Sequence, residues 1–187
     1  AFFAGYTKKQ WGVDPTALPA SILARLPLRF TADDSYFNHP HQGIPEHGYT
    51  PIVQAILDHE NISVHLSTRF ERAQSSEYDH VVWTGPIDAY FGFEHGRLAY
   101  RTLDFEQHVS DGDFQGCPVL NYCDEQVPYT RITEHKHFAP WEKHDQTVTY
   151  TEYSRLCGDN DTPYYPIRLV KETDQLVNYV HQARAQK

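Results

Sequence analysis

The apolar positions of this chain follow a helical spacing at its two ends. Aromatic side chains recur every three or four positions over residues 1–12, and apolar ones do so over residues 173–185. Such spacing predicts amphipathic helices at both places. A further helix is predicted from Thr50 to about His59, with Pro51 in its first turn.

Short apolar or alternating segments fill most of the chain between these helices. They predict strands at residues 62–66, 81–86, 100–109, 117–122, 128–135 and 146–153. Tight turns and one short helix at 87–92 separate these segments, which favours an antiparallel sheet. The predicted fold class is therefore α+β: a mainly antiparallel sheet with flanking helices and an N-terminal helical segment.

The first predicted helix concentrates aromatic rings and hydroxyl groups. Its residues include Phe2, Phe3, Tyr6, Thr7 and Trp11. Flat rings beside cationic donors suit a nucleobase, a ribose and phosphates. The same spacing is also typical of an ordinary buried helix face. The residues alone leave both interpretations open.

Composition narrows the classes of function. The 187 residues carry a formal net charge of −9, which argues against a nucleic-acid binder because phosphate backbones select clustered Lys and Arg. A partner with phosphates would have to be held by a few local arginines. We find no apolar run long enough to predict a membrane span. Three cysteines without C-x-x-C spacing fit the reduced thiols of a cytoplasmic protein.

Two groups of histidines are candidate metal ligands. His39, His41 and His47 fall in a predicted loop, and His135 and His137 stand two positions apart. Neither group has a Cys or carboxylate at the spacing that zinc sites use, so a third ligand is missing from the pattern. We therefore predict no metal site.

The sequence contains none of the usual catalytic motifs. It has no G-x-S-x-G nucleophile elbow, phosphate-binding P-loop or zinc signature. It also lacks the G-x-G-x-x-G turn through which backbone N–H groups reach the pyrophosphate of a dinucleotide. The chain alone is therefore not expected to hold FAD.

The order of residues nevertheless resembles one family over nearly the whole chain. The opening run F-F-A-G-Y-T-K-K-Q-W-G is followed by L-P-A-S, and later runs read Q-G-I-P, Y-R-T-L, P-Y-T-R-I-T-E-H and Y-Y-P. These runs resemble the UDP-galactopyranose mutase family. So many ordered matches are far more specific than one short motif.

The resemblance implies an isomerase that interconverts UDP-galactopyranose and UDP-galactofuranose through covalent catalysis by reduced FAD. It implies that this chain is the central to C-terminal part of the enzyme, with a sheet domain like the C-terminal part of FAD-linked reductases. Residues 1–27 would be a helical uridine-binding and lid segment, and residues 28–187 the sheet domain. Most FAD contacts would lie in other segments, and the isolated chain would be inactive. A homodimer is possible for the full-length enzyme.

The resemblance also implies roles for individual residues, none of them catalytic. The uridine end would be lined by Phe2, Phe3, Tyr6, Thr7 and Trp11. The diphosphate would be held by Arg25 and Arg131, with hydroxyl groups from Tyr36 and Tyr165. The sugar would lie near Asn121, and the flavin near Arg101, Thr84 and Gly85.

Other interpretations of these residues and of the chain stay open. Arg131 could be a strand arginine paired with Glu134 or another carboxylate, and Tyr165 could be a wedge between Tyr164 and Pro166. The chain as a whole could be a non-catalytic fragment that binds nucleotide sugars. It could also be an unrelated aromatic-rich binding module.

Overall fold

The computed structural model describes residues 2–19, 30–32, 39–167 and 173–186. The described residues form two compact units. One comprises those of 1–30 together with 85–187, and the other those of 31–84. The first helix contacts the sheet within one of these units, and the predicted boundary at residue 27 stays a prediction. The predicted lid, residues 19–28, lies almost wholly outside the described residues.

Four α-helices and five strands are present in the described chain. The helices are α1 (Phe2–Trp11), α2 (Thr50–Leu57), α3 (Ile87–Tyr90) and α4 (Thr173–Ala185). The strands are β1 (Tyr100–Asp111), β2 (Val119–Asn121), β3 (Arg131–Glu134), β4 (Gln146–Leu156) and β5 (Tyr165–Pro166). No helix in the described part of the chain is long and apolar enough to cross a membrane.

The strands form one antiparallel sheet in the order β2-β3-β4-β1-β5. Its centre is the long β1–β4 pair, which runs from Arg101 opposite Leu156 to Asp111 opposite Gln146. Strand β4 is rich in Thr and Tyr, which suit a pleated surface. The predicted α+β class with a mainly antiparallel sheet is confirmed.

Helix α1 packs on β4 and ends where a glycine permits it. The N–H of Gly12 donates to the carbonyl of Lys8 at 2.8 Å, and Gly12 adopts a φ of 70°. That left-handed conformation is the usual helix stop, and glycine adopts it without steric cost. Asp14 then caps a 3-10 turn over Pro15–Ala17 through its side chain.

Helix α4 is anchored by one tyrosine. Tyr179 is completely buried and stacks on Phe91, with ring centroids 6.0 Å apart. Its hydroxyl donates to the carbonyl of Gly96 at 2.6 Å and accepts from the N–H of His95 at 3.0 Å. A buried tyrosine is stable here because its polar tip finds both a donor and an acceptor.

The unit formed by residues 31–84 is loosely built. Its helix α2 follows the predicted span but has no buried residue. The strands predicted at 62–66 and 81–86 are wrong, because the backbone there joins no ladder. An apolar or alternating segment becomes a strand only where a neighbour supplies hydrogen bonds, and no described residue of this unit does so.

A buried carboxylate organises the turn between β1 and β2. Glu134 is completely buried, and its two oxygens accept hydrogen bonds from the backbone N–H groups of Phe114, Gln115 and Gly116 and from the Thr147 hydroxyl. Burial opposes the charge, but these four donors outweigh it and lower the pKa of Glu134 to about 2.

Replacing Glu134 with Gln should therefore destabilise the full-length protein at neutral pH by about 2–3 kcal/mol, because the charge-assisted bonds are lost. The folded-state pKa lies below the reference value of 4.5, so this contribution is present above the unfolded pKa and fades as the pH falls from about 5 towards about 2. Denaturant titrations across that range measure it. Glu142→Gln, at an exposed glutamate of the same unit, is the control, and equal midpoints at pH 7 would contradict the assignment.

Candidate functional site

Helix α1 brings one of its tyrosines against β3. The Tyr6 hydroxyl and the Arg131 Nη2 form a short hydrogen bond, although the residues are 125 positions apart. Tyr6 and Arg131 are both half-buried. Their contact confirms no role, but it joins in space two of the residues predicted to bind UDP.

A glutamate on the neighbouring strand supports the arginine from behind. The Nε of Arg131 lies 3.4 Å from Oε1 of Glu152, which stands directly opposite on β4. The Thr130 hydroxyl donates to the same Glu152 oxygen at 2.9 Å. Glu152 and Thr130 are buried, whereas 31% of the Arg131 side chain is exposed. The guanidinium is therefore held on its inner side and open on its outer side.

This arrangement bears on one interpretation left open by the sequence, in which Arg131 pairs with Glu134 or another carboxylate. Arg131 is paired with a carboxylate, but with Glu152 and not with Glu134. Glu134 points to the opposite face of the sheet, since neighbouring residues of a strand alternate and an odd number of positions separates the two. Within the described part of the chain, the Nη1 group of Arg131 donates no hydrogen bond.

The electrostatics of the pair favour a permanent positive charge. Burial works against the charged form of Arg131, but Tyr6 and Glu152 outweigh it and raise the pKa of this arginine. Burial also raises the pKa of Tyr6, against the lowering effect of Arg131. Tyr6 is therefore a neutral hydroxyl beside a fixed cation at physiological pH.

The end of α1 and strand β5 contribute a further aromatic pair. Trp11 and Tyr165 meet edge to face, with ring centroids 6.3 Å apart. Tyr165 is close enough to affect the charge equilibria of both Tyr6 and Arg131. The wedge interpretation of Tyr165 and its predicted role at the diphosphate both stay open. An aromatic hydroxyl and a guanidinium meet at the contact of Tyr6 with Arg131, which suits a planar base and an anion.

Asn121 lies at the edge of this cluster. Thr7 is not exposed beside it. Asn121 is exposed on β2 and pairs directly with Arg131 on β3. Thr7 is buried, with 7% of its surface exposed. Both positions are compatible with the predicted roles, which stay predictions.

Arg101 is engaged in holding α1. Its Nε donates to the Gln10 carbonyl at 3.1 Å, and its Nη2 donates to the carbonyls of Lys9 and Ser154 at 3.3 and 2.8 Å. Burial lowers the pKa of Arg101, of which only 7% is exposed. These bonds satisfy the last carbonyls of the helix. The predicted flavin contact of Arg101 is untested, and its visible function is to fix the end of α1.

The remaining predicted site residues are less defined. Thr84 and Gly85 are exposed, and the sequence passes from one unit to the other between them. The side chains of Phe2 and Phe3, and all of Arg25 and Tyr36, lie outside the described residues. Nothing in the described chain forms the glycine-lined turn that a dinucleotide pyrophosphate needs.

Sequence reasoning missed Glu152, Thr130 and Lys9. Glu152 gave one faint signal, since it is an acidic residue inside a strand that is otherwise made of Thr, Tyr, Val and Ser over its buried half. Such a residue is costly unless a partner meets it. Lys9 gave no signal, because a lysine near the C-terminal end of a helix is favoured by the helix dipole in any case.

One histidine has ligand neighbours that the sequence did not suggest. Among the described residues, Asp113, Glu134 and His137 bring their ligand atoms within 4.8 Å of one another. His135, the other histidine of the predicted pair, is not part of this group. Yet Lys136 Nζ lies 2.6 Å from Asp113, and Glu134 is saturated by N–H and hydroxyl donors. We therefore assign the group a structural role.

Comparison with known proteins gives a consistent result. The family described as UDP-galactopyranose mutase matches residues 1–187. The chain is 57% identical over 187 residues to a probable UDP-galactopyranose mutase of Klebsiella pneumoniae, covering all of this chain and 49% of that protein. It is 52% identical over 190 residues to the dTDP-fucopyranose mutase of Escherichia coli, covering 98% of this chain and 50% of that protein. The chain spans about half the length of these curated relatives.

The contact between the end of α1 and Arg101 generates a stability prediction. A methyl group at Gly12 would stand 2.6 Å from Nη1 of Arg101, in a backbone conformation with φ 70°. Gly12→Ala should cost about 1–2 kcal/mol for the conformation and more for displacing the hydrogen-bonded guanidinium. Gly112→Ala is the matched control, since Gly112 has φ 68° and open space around it. Denaturant titration should show the larger loss for Gly12→Ala, and equal losses would refute the contact.

Proposed function

Because this chain belongs to the UDP-galactopyranose mutase family, we propose that the whole protein interconverts UDP-galactopyranose and UDP-galactofuranose. The family match extends over all 187 residues, so an unrelated aromatic-rich binding module is no longer a candidate. The observation that carries the proposal at residue level is the meeting of Tyr6 with an Arg131 that is buttressed by Glu152 and still open to an anion.

Arg131 is the residue that holds the diphosphate. Its planar fork gives paired, charge-assisted hydrogen bonds to phosphate oxygens. Glu152 and Thr130 fix the orientation of the fork before the ligand arrives. When the bond between sugar and diphosphate breaks, negative charge grows on the departing phosphate, and a cation already in place stabilises it.

The aromatic residues of the cluster bind the nucleoside. Tyr6 stacks on the uracil ring, and Trp11 and Thr7 line the same end of the site. Tyr165 donates its hydroxyl to a phosphate oxygen. Phe2 and Phe3 complete the uridine end, and Asn121 faces the sugar. These roles rest on the resemblance, with support from the contact of Tyr6 with Arg131 and from the edge-to-face contact of Trp11 with Tyr165. Arg25 and Tyr36 are proposed as further diphosphate ligands.

Reduced FAD is the cofactor that the family implies, and it supplies the nucleophile when bound. The described residues do not fit a complete FAD site, because Arg101 is engaged by α1 and no glycine-lined turn is present among them. Most FAD contacts therefore lie outside these 187 residues, and no step on the flavin is assigned to this chain. Its residues bind and orient the nucleotide sugar. A non-catalytic role for the chain in isolation is compatible with this division.

A second candidate is the interconversion of dTDP-linked fucopyranose and fucofuranose. It is favoured by the 52% identity to the dTDP-fucopyranose mutase of Escherichia coli, which is close to the value for the UDP-galactopyranose relative. The two nucleotides share a pyrimidine ring and a diphosphate, which are the groups that the described cluster suits. Homodimer formation and a cytoplasmic location stay predictions under either candidate.

Turnover assays with the full-length protein and chemically reduced FAD distinguish the candidates. We expect UDP-galactofuranose to be converted to UDP-galactopyranose with a higher kcat/KM than the matching dTDP-fucose pair. The products are separated by anion-exchange chromatography. A preference for the dTDP sugars would replace the first candidate by the second, and no turnover of either pair would reject both.

Arg131→Ala in the full-length protein should weaken UDP binding by about 2–4 kcal/mol, because a buried Glu152 and a phosphate both lose their cation. This corresponds to a dissociation constant raised by roughly 30- to 1000-fold. Calorimetric titration with UDP measures the change. Arg155→Ala is the control, since Arg155 also lies on the sheet but is bound to Asp104 and Asp161. Unchanged UDP affinity in Arg131→Ala would refute the assignment.

A further inference from the structure

The ammonium group of Lys9 lies in a cage of backbone carbonyl oxygens. It donates to the carbonyls of Tyr122, Asp124, Val127 and Tyr129 at 2.7, 2.8, 3.0 and 2.8 Å. All four belong to the hairpin loop, residues 122–129, which joins β2 to β3. An ammonium group has three N–H donors. Here four carbonyl oxygens surround it and share its charge, much as oxygen ligands surround a metal cation.

The hairpin loop follows an edge strand of three exposed residues, Val119–Asn121. Within the described chain, the ring of Tyr129 contacts those of Tyr122 and of Tyr153 on β4. Lys9 adds a directional attachment of the loop to α1. A second feature shows how close the loop lies to α1: a methyl group at Gly5 would overlap the Cys123 carbonyl oxygen. Gly5 and Lys9 are four positions apart, so they share one face of the helix.

The hairpin loop connects the groups of the proposed UDP site. Asn121 stands just before it and Arg131 just after it, and the two residues are directly paired. Tyr6, three positions before Lys9 on the same helix, contacts Arg131. Helix α1 is thus linked to the β2–β3 hairpin at two places, and the position of one link constrains the other.

We propose that Lys9 is a positioning residue for the nucleotide: its caged ammonium group holds the hairpin loop against α1, so that Tyr6 and Arg131 meet in the geometry that binds a nucleoside diphosphate. The statement about the nucleotide rests on the function proposed above. The neighbouring Lys8 has no such role. It pairs with Glu125 of the same loop at 2.7 Å, but both side chains are more than half exposed, and such pairs contribute little.

The test deletes the ammonium group of Lys9 by mutation and then supplies a small ammonium ion in solution. In the full-length protein, Lys9→Ala should raise the dissociation constant for UDP by about tenfold or more, because several carbonyls lose their donor. Addition of n-propylammonium, which replaces the deleted atoms, should restore most of the affinity. Propan-1-ol, which has the same shape without charge, should not. Lys8→Ala should stay within about twofold of the wild type.

Three results would overturn the proposal. They are an unchanged UDP affinity in Lys9→Ala, equal losses in Lys9→Ala and Lys8→Ala, and rescue by propan-1-ol as strong as by n-propylammonium. If Lys9→Ala does not fold, Gly5→Ala decides the matter. Alanine favours a helix, so weaker UDP binding there would come from the displaced loop, and unchanged binding would refute the positioning role.

Hydrogen exchange separates this proposal from the proposed function. In the protein without ligand, the amides of the hairpin loop should exchange about tenfold faster in Lys9→Ala than in the wild type and slow again with n-propylammonium. If the wild-type protein does not bind UDP, the proposed function fails, while faster exchange still supports the attachment of the loop by Lys9. Normal exchange in Lys9→Ala rejects that attachment even where UDP binding is intact.

Discussion

The attachment of helix α1 to the sheet through buried polar groups is the constraint on which the rest of the candidate site depends. Arg101 and Ser154 bind the carbonyls at the end of the helix, and Lys9 binds those of the hairpin loop. An apolar interface tolerates small sliding movements, whereas hydrogen bonds fix distance and direction. The helix therefore sits in one register on the sheet, and Tyr6 is carried to one position opposite Arg131.

That register determines which polar and charged groups surround Arg131. Glu152 and Thr130 lie behind Arg131, and Tyr6 lies beside it. A buried carboxylate facing a guanidinium is costly to assemble, and its removal leaves an uncompensated charge. Under the proposed function, the benefit lies in orientation rather than in net stability, because an arginine held in this way would need little rearrangement when a phosphate binds.

The sequence predicted the regular elements better than the contacts among them. Helix α1 and strands β1 to β4 follow from local periodicity, and the order of motifs named Tyr6 and Arg131 through resemblance. The partner of Arg131 was left open, since the pairing of β3 with β4 sets it and no local pattern reveals that register. The segment 81–86 was predicted as a strand on its apolar character alone, and in the described unit it finds no neighbour to pair with.

The two adjacent lysines of α1 show most directly what local sequence leaves undetermined. Lys8 and Lys9 have the same side chain, the same helix and the same favourable position near its C-terminal end. A rotation of about 100° between successive helical residues directs Lys8 to solvent and Glu125, and Lys9 into four carbonyls. Helical phase can be read from sequence. The hairpin loop that Lys9 contacts lies more than 110 residues away in the sequence. Only the folded chain therefore distinguishes the two lysines.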